Sequence, residues 1–590
     1  MLNLSLWNWQ LLKLVLFGMW IVVSGNCGAQ QTNALLSEAQ LSLVGASKSR
    51  SNPKVAAGYY LDAVDVALRL MNDRSESMPG EARLIYNRSC QELAVLLQSN
   101  QELWNRTEII QSQSNVYRLR FAGSSRVAGI WSPEYFTFFR TPEQLRKGSA
   151  GTATLAGWGG ALVGVHREPD LRKAFLPPRG LAVTVTAVVD ISGQRAKGGG
   201  VRDATLTLYE PSKRQSIQLA GAKRPLDADF TAPIAYYRNP LLLGLAGMIM
   251  PGKYHERTGL YLLEPYDPDQ IPVVFIHGLM SAPQMWAPTI KAINADPELR
   301  GRFQFWVFGY PTGNPILASA LRLRENLARI YELYPKMKNV ILVGHSMGGL
   351  VARMQAVDTG RTLWNGVFQD DADRLYATVP PDSLARKALI FDANRHIKRI
   401  VFICVPHRGS YLATNWIGSL GVGLVRLPGN LLSGAEGSIL STLRVTMGLR
   451  HVPTGINGLS PRSPVLKTLD TLPINAPYNS IIGDRGRGDS PNSSDGVVPY
   501  WSSHLEGAQS ELIVPGPHGS YALPQTVAEL KRILRLEIAA RDKSPLKTEI
   551  VPRTRVRRDK AKPRSTVPTA TASQAKQRST VPISKLEAEG

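Results

Sequence analysis

The chain has 590 residues, too many for one ordinary domain, so two or three folded units are expected. An apolar content of 43% excludes a wholly disordered polypeptide. The formal net charge is +23, yet no aromatic-interleaved basic patch and no zinc-ligand spacing appears, which argues against nucleic acid as a partner. The first element reads as a targeting segment. Lys13 precedes the apolar run Leu14 to Val23, of a length that suits the core of a signal peptide and is short for a membrane span. Cys27-Gly28-Ala29 fits a small-x-small cleavage pattern, so residues 1–29 are read as a signal peptide or an N-terminal anchor. Cys27 also offers a lipid-anchor reading, against which the preceding Asn26 stands. All three readings predict export to the periplasm, the cell envelope or the medium. Only Cys90 and Cys404 would survive cleavage, so no disulfide framework is expected.

From residue 30 to about 112 the apolar side chains recur at three- and four-residue spacing, as in Ala56–Leu68 and Ala82–Ala94, which predicts amphipathic helices. From 113 to 268 the pattern changes to alternation. Tyr117–Phe121, Leu181–Val189 and Ala204–Tyr209 read as strands between Gly, Pro and Asp turns, hence a small β-rich unit. After 269 the strands become continuously apolar: Pro272–Ile276, Phe303–Phe308, Val340–Val343 and Ile400–Cys404. Such runs suit strands buried on both faces of a parallel sheet. Helical stretches, Leu317–Tyr331 and Leu350–Val357, alternate with them, the pattern of a doubly wound α/β sheet. Ligands on these sheets bind at the carboxyl ends of the strands, and Ser346 sits at one.

That serine lies in Gly344-His345-Ser346-Met347-Gly348, between a buried strand and a helix. The corner forces the serine into a strained conformation with its hydroxyl raised over the sheet, and the glycines are needed because side chains there would collide with the neighbouring strand and helix. Over roughly 270–540 the chain here resembles the α/β-hydrolase family, in its bacterial lipase and esterase branch. The resemblance implies a mostly parallel doubly wound sheet over residues 269–541, with a helical cap at about 406–475. It also implies a base and an acid downstream of the serine, in the order Ser, Asp or Glu, His. His518 follows the short strand Glu511–Val514 and precedes the last helix, matching the family's base; His504, His451 and His407 are rivals, with His407 in a Pro-His-Arg-Gly-Ser turn that shapes the pocket in many lipases. Asp495, in an Asp-Gly-apolar-Val loop, matches the family's acid, with Asp484, Asp489 and Asp392 as alternatives. The oxyanion hole is assigned by the same resemblance to the backbone N–H groups of Met347 and Leu279, with His277 fixing the loop.

The function implied is an exported serine hydrolase cleaving carboxylic esters, with lipid-like acyl esters as the expected substrates, through an acyl-enzyme. Thioesters, amides and acyl transfer use the same three groups, and an envelope interaction protein carrying a secondary hydrolase domain is the alternative from another class. Neither a cofactor nor a metal is expected, since Asp484 and Asp489 are too few to argue for a calcium loop. Residues 542–590 are basic and proline-punctuated, which predicts a disordered tail able to meet an anionic membrane surface.

Overall fold

The computed structural model describes residues 27–72, 79–125, 128–145, 153–168, 175–193, 200–237, 258–411, 457–485 and 493–542. The targeting run before residue 27, the centre of the expected cap (412–456), His451, Asp489 and the tail from 543 lie outside them. Among the described residues no helix is long and apolar enough to cross a membrane.

Three helices come first: α1 (Cys27–Lys48), α2 (Pro53–Asn72) and α3 (Pro79–Gln98). α1 packs on α2 and α2 on α3. Their contacts are made by small side chains, with Ala39, Ala46, Ala56, Ala57, Ala63 and Ala67 fully buried, so the backbones can approach closely. The strands that follow are β1 (Glu108–Gln111), β2 (Val116–Phe121), β3 (Phe138–Arg140), β4 (Gly160–His166), β5 (Leu181–Ser192) and β6 (Val201–Tyr209). They form one six-stranded sheet in the order β1-β2-β6-β5-β4-β3. Only the β2–β6 pair within it is parallel.

The helices and this sheet are not separate units. Tyr86, Leu93 and Leu97 of α3 share one core with Leu162, Val185 and Leu206 of the strands. Tyr86 Oη donates to the Val189 carbonyl at 2.8 Å and Gln91 Nε2 to the Ala161 carbonyl at 2.7 Å. The division of 30–112 from 113–268 read from periodicity therefore cuts through a single helix-on-sheet layer pair. The physical reason is that three helices leave one apolar stripe uncovered, and the sheet face covers it.

The second sheet has seven strands. They are β7 (Gly259–Leu262), β8 (Ile271–Ile276), β9 (Phe303–Gly309), β10 (Val340–His345), β11 (Ile397–Ile403), β12 (Tyr478–Asp484) and β13 (Glu511–Pro515), in the order β7-β9-β8-β10-β11-β12-β13. All pairs are parallel except that of β7 with β9. Every residue of β8, β9 and β10 is buried. Alternation then sorts them to two faces. Val274, Ile276, Leu342 and Phe402 enter one core, under helices α5 (Ile316–Leu333) and α6 (Met347–Arg353); Val273, Phe275, Val343 and Val401 enter another, under α4 (Ala287–Asn294) and α7 (Pro524–Asp542). This is the α/β-hydrolase architecture expected from the sequence. β7 departs from it, because residues 259–262 belong to this sheet and not to the β-rich unit that a boundary at 268 assigned them to.

Helix α7 is tied to the sheet by a buried ion pair. Arg399 Nε of β11 lies 2.5 Å from Glu537 Oε1 of α7, and Arg399 Nη1 also donates to Asn479 at 2.7 Å and to Gln509 at 2.5 Å. Arg399 is 8% exposed and Glu537 4%, so neither charge can fall back on water. Glu537→Ala, which leaves the guanidinium buried without its carboxylate, should lower unfolding free energy by about 3 kcal/mol. Urea unfolding monitored by tryptophan fluorescence measures this, and a loss within 0.5 kcal/mol (the scale of an ordinary surface substitution) would show that the pair does not anchor the helix.

Candidate active site

The carboxyl ends of β8, β10, β11 and β12, with the loop after β13, bring the chemically capable residues together. Ser346 follows β10 and caps α6, at φ 53° and ψ −128°. A non-glycine residue in this region is strained by about 1–3 kcal/mol and stays there only when its surroundings hold it. Here the Ser346 N–H donates to the Ile403 carbonyl of β11 at 2.9 Å, and the Ser346 carbonyl accepts from Gly349 N–H at 2.9 Å. The glycines are sterically required. A Cβ on Gly344 would lie 2.5 Å from Gly349 Cα, and one on Gly348 would lie 2.5 Å from the Ile276 carbonyl oxygen.

His518, in the loop between β13 and α7, reaches Ser346. Its Nε2 is 2.9 Å from Ser346 Oγ, although 172 positions separate them, and its Nδ1 is 2.7 Å from Asp495 Oδ2. The Asp495 carboxylate is itself fixed. Its Oδ1 accepts from the N–H groups of Val497 at 2.8 Å and Val498 at 2.6 Å, and Gly496 turns the chain at φ 91°. Asp495 is 2% exposed and Ser346 5%, while the His518 side chain retains 22% exposure, leaving the imidazole edge open to an incoming group. The sequence-read trio thus converges at one point.

Among the described residues, His407 and His504 face other partners. His407 is buried and lies 3.4 Å from Arg353 through Nδ1, and its pKa is held well below the usual histidine value by burial and by the Arg353 charge. His504 contacts Glu511, Glu506 and Tyr500 instead. Asp484 ends β12, where its carbonyl accepts from Gly516 N–H at 2.6 Å, and Asp392 is exposed. The serine-side loop after β8 is close enough to matter. A Cβ on Gly278 would lie 2.9 Å from Ser346 Cβ, so the backbone that continues through Leu279 passes beside the serine. Neither the Leu279 nor the Met347 N–H is spent on another backbone acceptor among the described residues. His277 braces this loop. Tyr310 N–H donates to its Nε2 at 3.3 Å, which puts the proton on Nδ1 facing the Gly278 carbonyl at 3.0 Å. Burial pulls its pKa to about 4, so it stays a neutral brace.

His345, which the sequence reading passed over as the variable residue of the corner, is also at the site. Its Nε2 meets the main-chain carbonyl of His518 at 2.8 Å. His345, Cys404 and His518 offer possible ligand atoms within 4.8 Å of one another. Two of the three residues are otherwise committed, however. Both His518 nitrogens face Asp495 and Ser346, and burial pushes the Cys404 thiol well above its ordinary pKa, with Asp495 adding to the shift. A thiol that stays protonated is a poor ligand.

Residues 273–434 match the model of the alpha/beta hydrolase family. The matched stretch holds Ser346 but stops short of Asp495 and His518. No curated protein matches the sequence. Among solved structures, the chain is similar to the lipase BlEst2 of Bacillus licheniformis in its mature form, with 17% identity over 47% of this chain and 97% of that one, at a TM-score of 0.28. It is similar to EstA of Clostridium botulinum, with 14% identity over 45% and 86%, at 0.29. It is also similar to the esterase EaEST of Exiguobacterium antarcticum, with 14% identity over 48% and 96%, at 0.26. Identities and scores this low leave the reaction to be argued from the residues.

The corner's tightness is directly measurable. Gly348→Ala should destabilise the protein by about 1–3 kcal/mol through overpacking against backbone that cannot yield. Gly80→Ala on α3, where a Cβ meets nothing within 4 Å, should not. Equal melting temperatures for the two variants would show that the corner can relax.

Proposed function

We propose that this chain is an exported serine hydrolase that cleaves carboxylic esters with lipid-like acyl groups. The observation that carries the reading is His518, hydrogen-bonded on one side to Ser346 Oγ and on the other to the buried Asp495 carboxylate. A serine hydroxyl is a weak nucleophile, and an imidazole within 3 Å can take its proton as the oxygen attacks. Asp495, with Oδ1 occupied by two backbone N–H groups, presents Oδ2 to the Nδ1–H. It so fixes the tautomer that leaves Nε2 free as base and stabilises the imidazolium that forms. The oxygen of the tetrahedral intermediate takes the N–H groups of Met347 and Leu279, each worth about 3 kcal/mol. His518 then hands its proton to the leaving alcohol, and in the second half activates the water that releases the acid.

Acyl-lipid preference is supported by exposed large apolar side chains close in sequence to the site residues. Trp501, six residues beyond Asp495, is 43% exposed, and Tyr411, four beyond His407, is 54% exposed. The sequence over about 406–475, where a cap is expected, is rich in apolar residues and glycine, the composition that an acyl-binding cap needs. Export rests on the apolar run at 14–23.

Ser346→Ala and His518→Ala should each abolish ester hydrolysis, by about 10⁶-fold, with folding intact; Asp495→Asn should cost about 10⁴-fold, less than loss of the serine. Turnover of p-nitrophenyl esters of graded chain length, with circular dichroism for the fold, gives both the chemistry and the pocket size. Retention of more than a few per cent of activity in Ser346→Ala would overturn the reading. The basic tail should act on location and not on catalysis. A chain ending at Arg541 should keep its turnover of soluble esters and lose co-sedimentation with anionic vesicles at low salt, since each Lys or Arg at such a surface contributes about 1 kcal/mol. Equal vesicle binding by both lengths would remove that role.

A further inference from the structure

The corner carries a second histidine that the proposed chemistry does not use. We infer that His345 is a positioning residue, whose Nε2–H grips the main-chain carbonyl of His518 and so sets the base against Ser346. The inference rests on reading Ser346 and His518 as nucleophile and base.

The geometry is direct. His345 Nε2 lies 2.8 Å from the His518 carbonyl oxygen, across 173 positions of sequence. A carbonyl only accepts, so the proton is on Nε2 and the bare lone pair on Nδ1. That lone pair is buried and has no hydrogen-bond partner. An unsatisfied buried acceptor is destabilising, a penalty that an apolar residue in the same place would avoid. The imidazole is therefore held here for what its other nitrogen does. Among the described residues the main chain of His518 makes no other hydrogen bond, and its loop is flanked by Gly516 and Gly519. Asp495 fixes the His518 ring; His345 fixes the backbone that carries it.

The ring of His345 is itself wedged. It sits 4.9 Å from the His518 ring and packs edge-on to Tyr521 at 5.1 Å, and Tyr521 packs edge-on to the fully buried Trp286. Burial, and after it the neighbouring His518, pull the His345 pKa down to about 3. It stays neutral through the working pH range and adds no positive charge beside His518 when that residue takes up a proton. Because His345 immediately precedes Ser346, one hydrogen bond joins the nucleophile's strand to the base's loop.

Three variants test this. His345→Phe keeps an aromatic ring and removes the donor, and should lower kcat by about 10–100-fold with KM within about twofold, as a misplacement of the order of 1 Å does. His345→Gln, whose amide N–H extends about as far as Nε2, should restore most of kcat. Should His345→Phe fail to fold, His345→Asn, too short to reach the carbonyl, takes its place against His345→Gln. A merely structural role would move melting temperature and the fraction of active enzyme, titrated with a fluorophosphonate, and leave kcat per active site unchanged. The proposal falls if His345→Phe or His345→Asn keeps wild-type kcat per titrated site, or if His345→Gln is as slow as either. Failure of the underlying reading would look different, since the wild-type protein would then not be labelled at Ser346 at all.

Discussion

Three backbone segments meet at the end of β10 in a space that admits no side-chain carbon. The end of β8, the turn around Ser346 and the first turn of α6 are pressed together so that Gly344 and Gly348 touch main chain and not side chain. Everything chemical about the molecule follows from this contact. It forces Ser346 to positive φ, lifts the hydroxyl off the sheet and aims the amino end of α6 at the same point. It also brings Gly278 against the serine, so that the loop carrying Leu279 cannot drift away. The strain is tolerable because the sheet on either side over-determines it: β8 and β10 are fully buried and in register, with Ile276 paired to Gly344.

How much of this was legible in the sequence depended on how local the cause was. The parallel strands could be read because a strand buried on both faces needs apolar residues at every position, as in Pro272–Ile276, and the two cores confirm why. Ser346 could be read because steric exclusion of Cβ leaves a glycine signature. Asp495 was assigned by its resemblance to the family's Asp-Gly-apolar-Val loop, with Asp484 and Asp489 as alternatives; that the turn's N–H groups fix one carboxylate oxygen and free the other is visible only in the structure. The union of the helices with the first sheet was not legible. An amphipathic stripe says that something covers it and is silent on what. β7 was missed for the same reason, since four residues, three of them buried, fit any sheet. His345 was invisible because its role is to the main chain of a residue 173 positions away, and nothing in the local pattern marks it.

Polar side chains do the long-range joining in both halves. Tyr86 and Gln91 reach from α3 to strand carbonyls, Arg399 gathers β11, β12 and α7, and Tyr310 and His277 lock the loop after β8. Each is buried and each has a defined partner, so these bonds act as register marks on packing that apolar contact alone would leave free to slide.

Strand β7 carries a consequence for how such a protein can be inherited. It pairs antiparallel with β9, and Leu262 N–H reaches on to the carbonyl of Phe175, a residue of the N-terminal half whose side chain lies in the same core as Trp306. Without residues 259–262, the fully buried β9 would show a row of unpaired main-chain groups to water, a template for pairing with another copy. Natural recombination that tried to move the catalytic half into a new protein could not cut at the point where the sequence changes rhythm. The evolutionary module has to begin before Thr258 and must bring with it something to stand in for Phe175, which gives the two halves a reason to travel through lineages together.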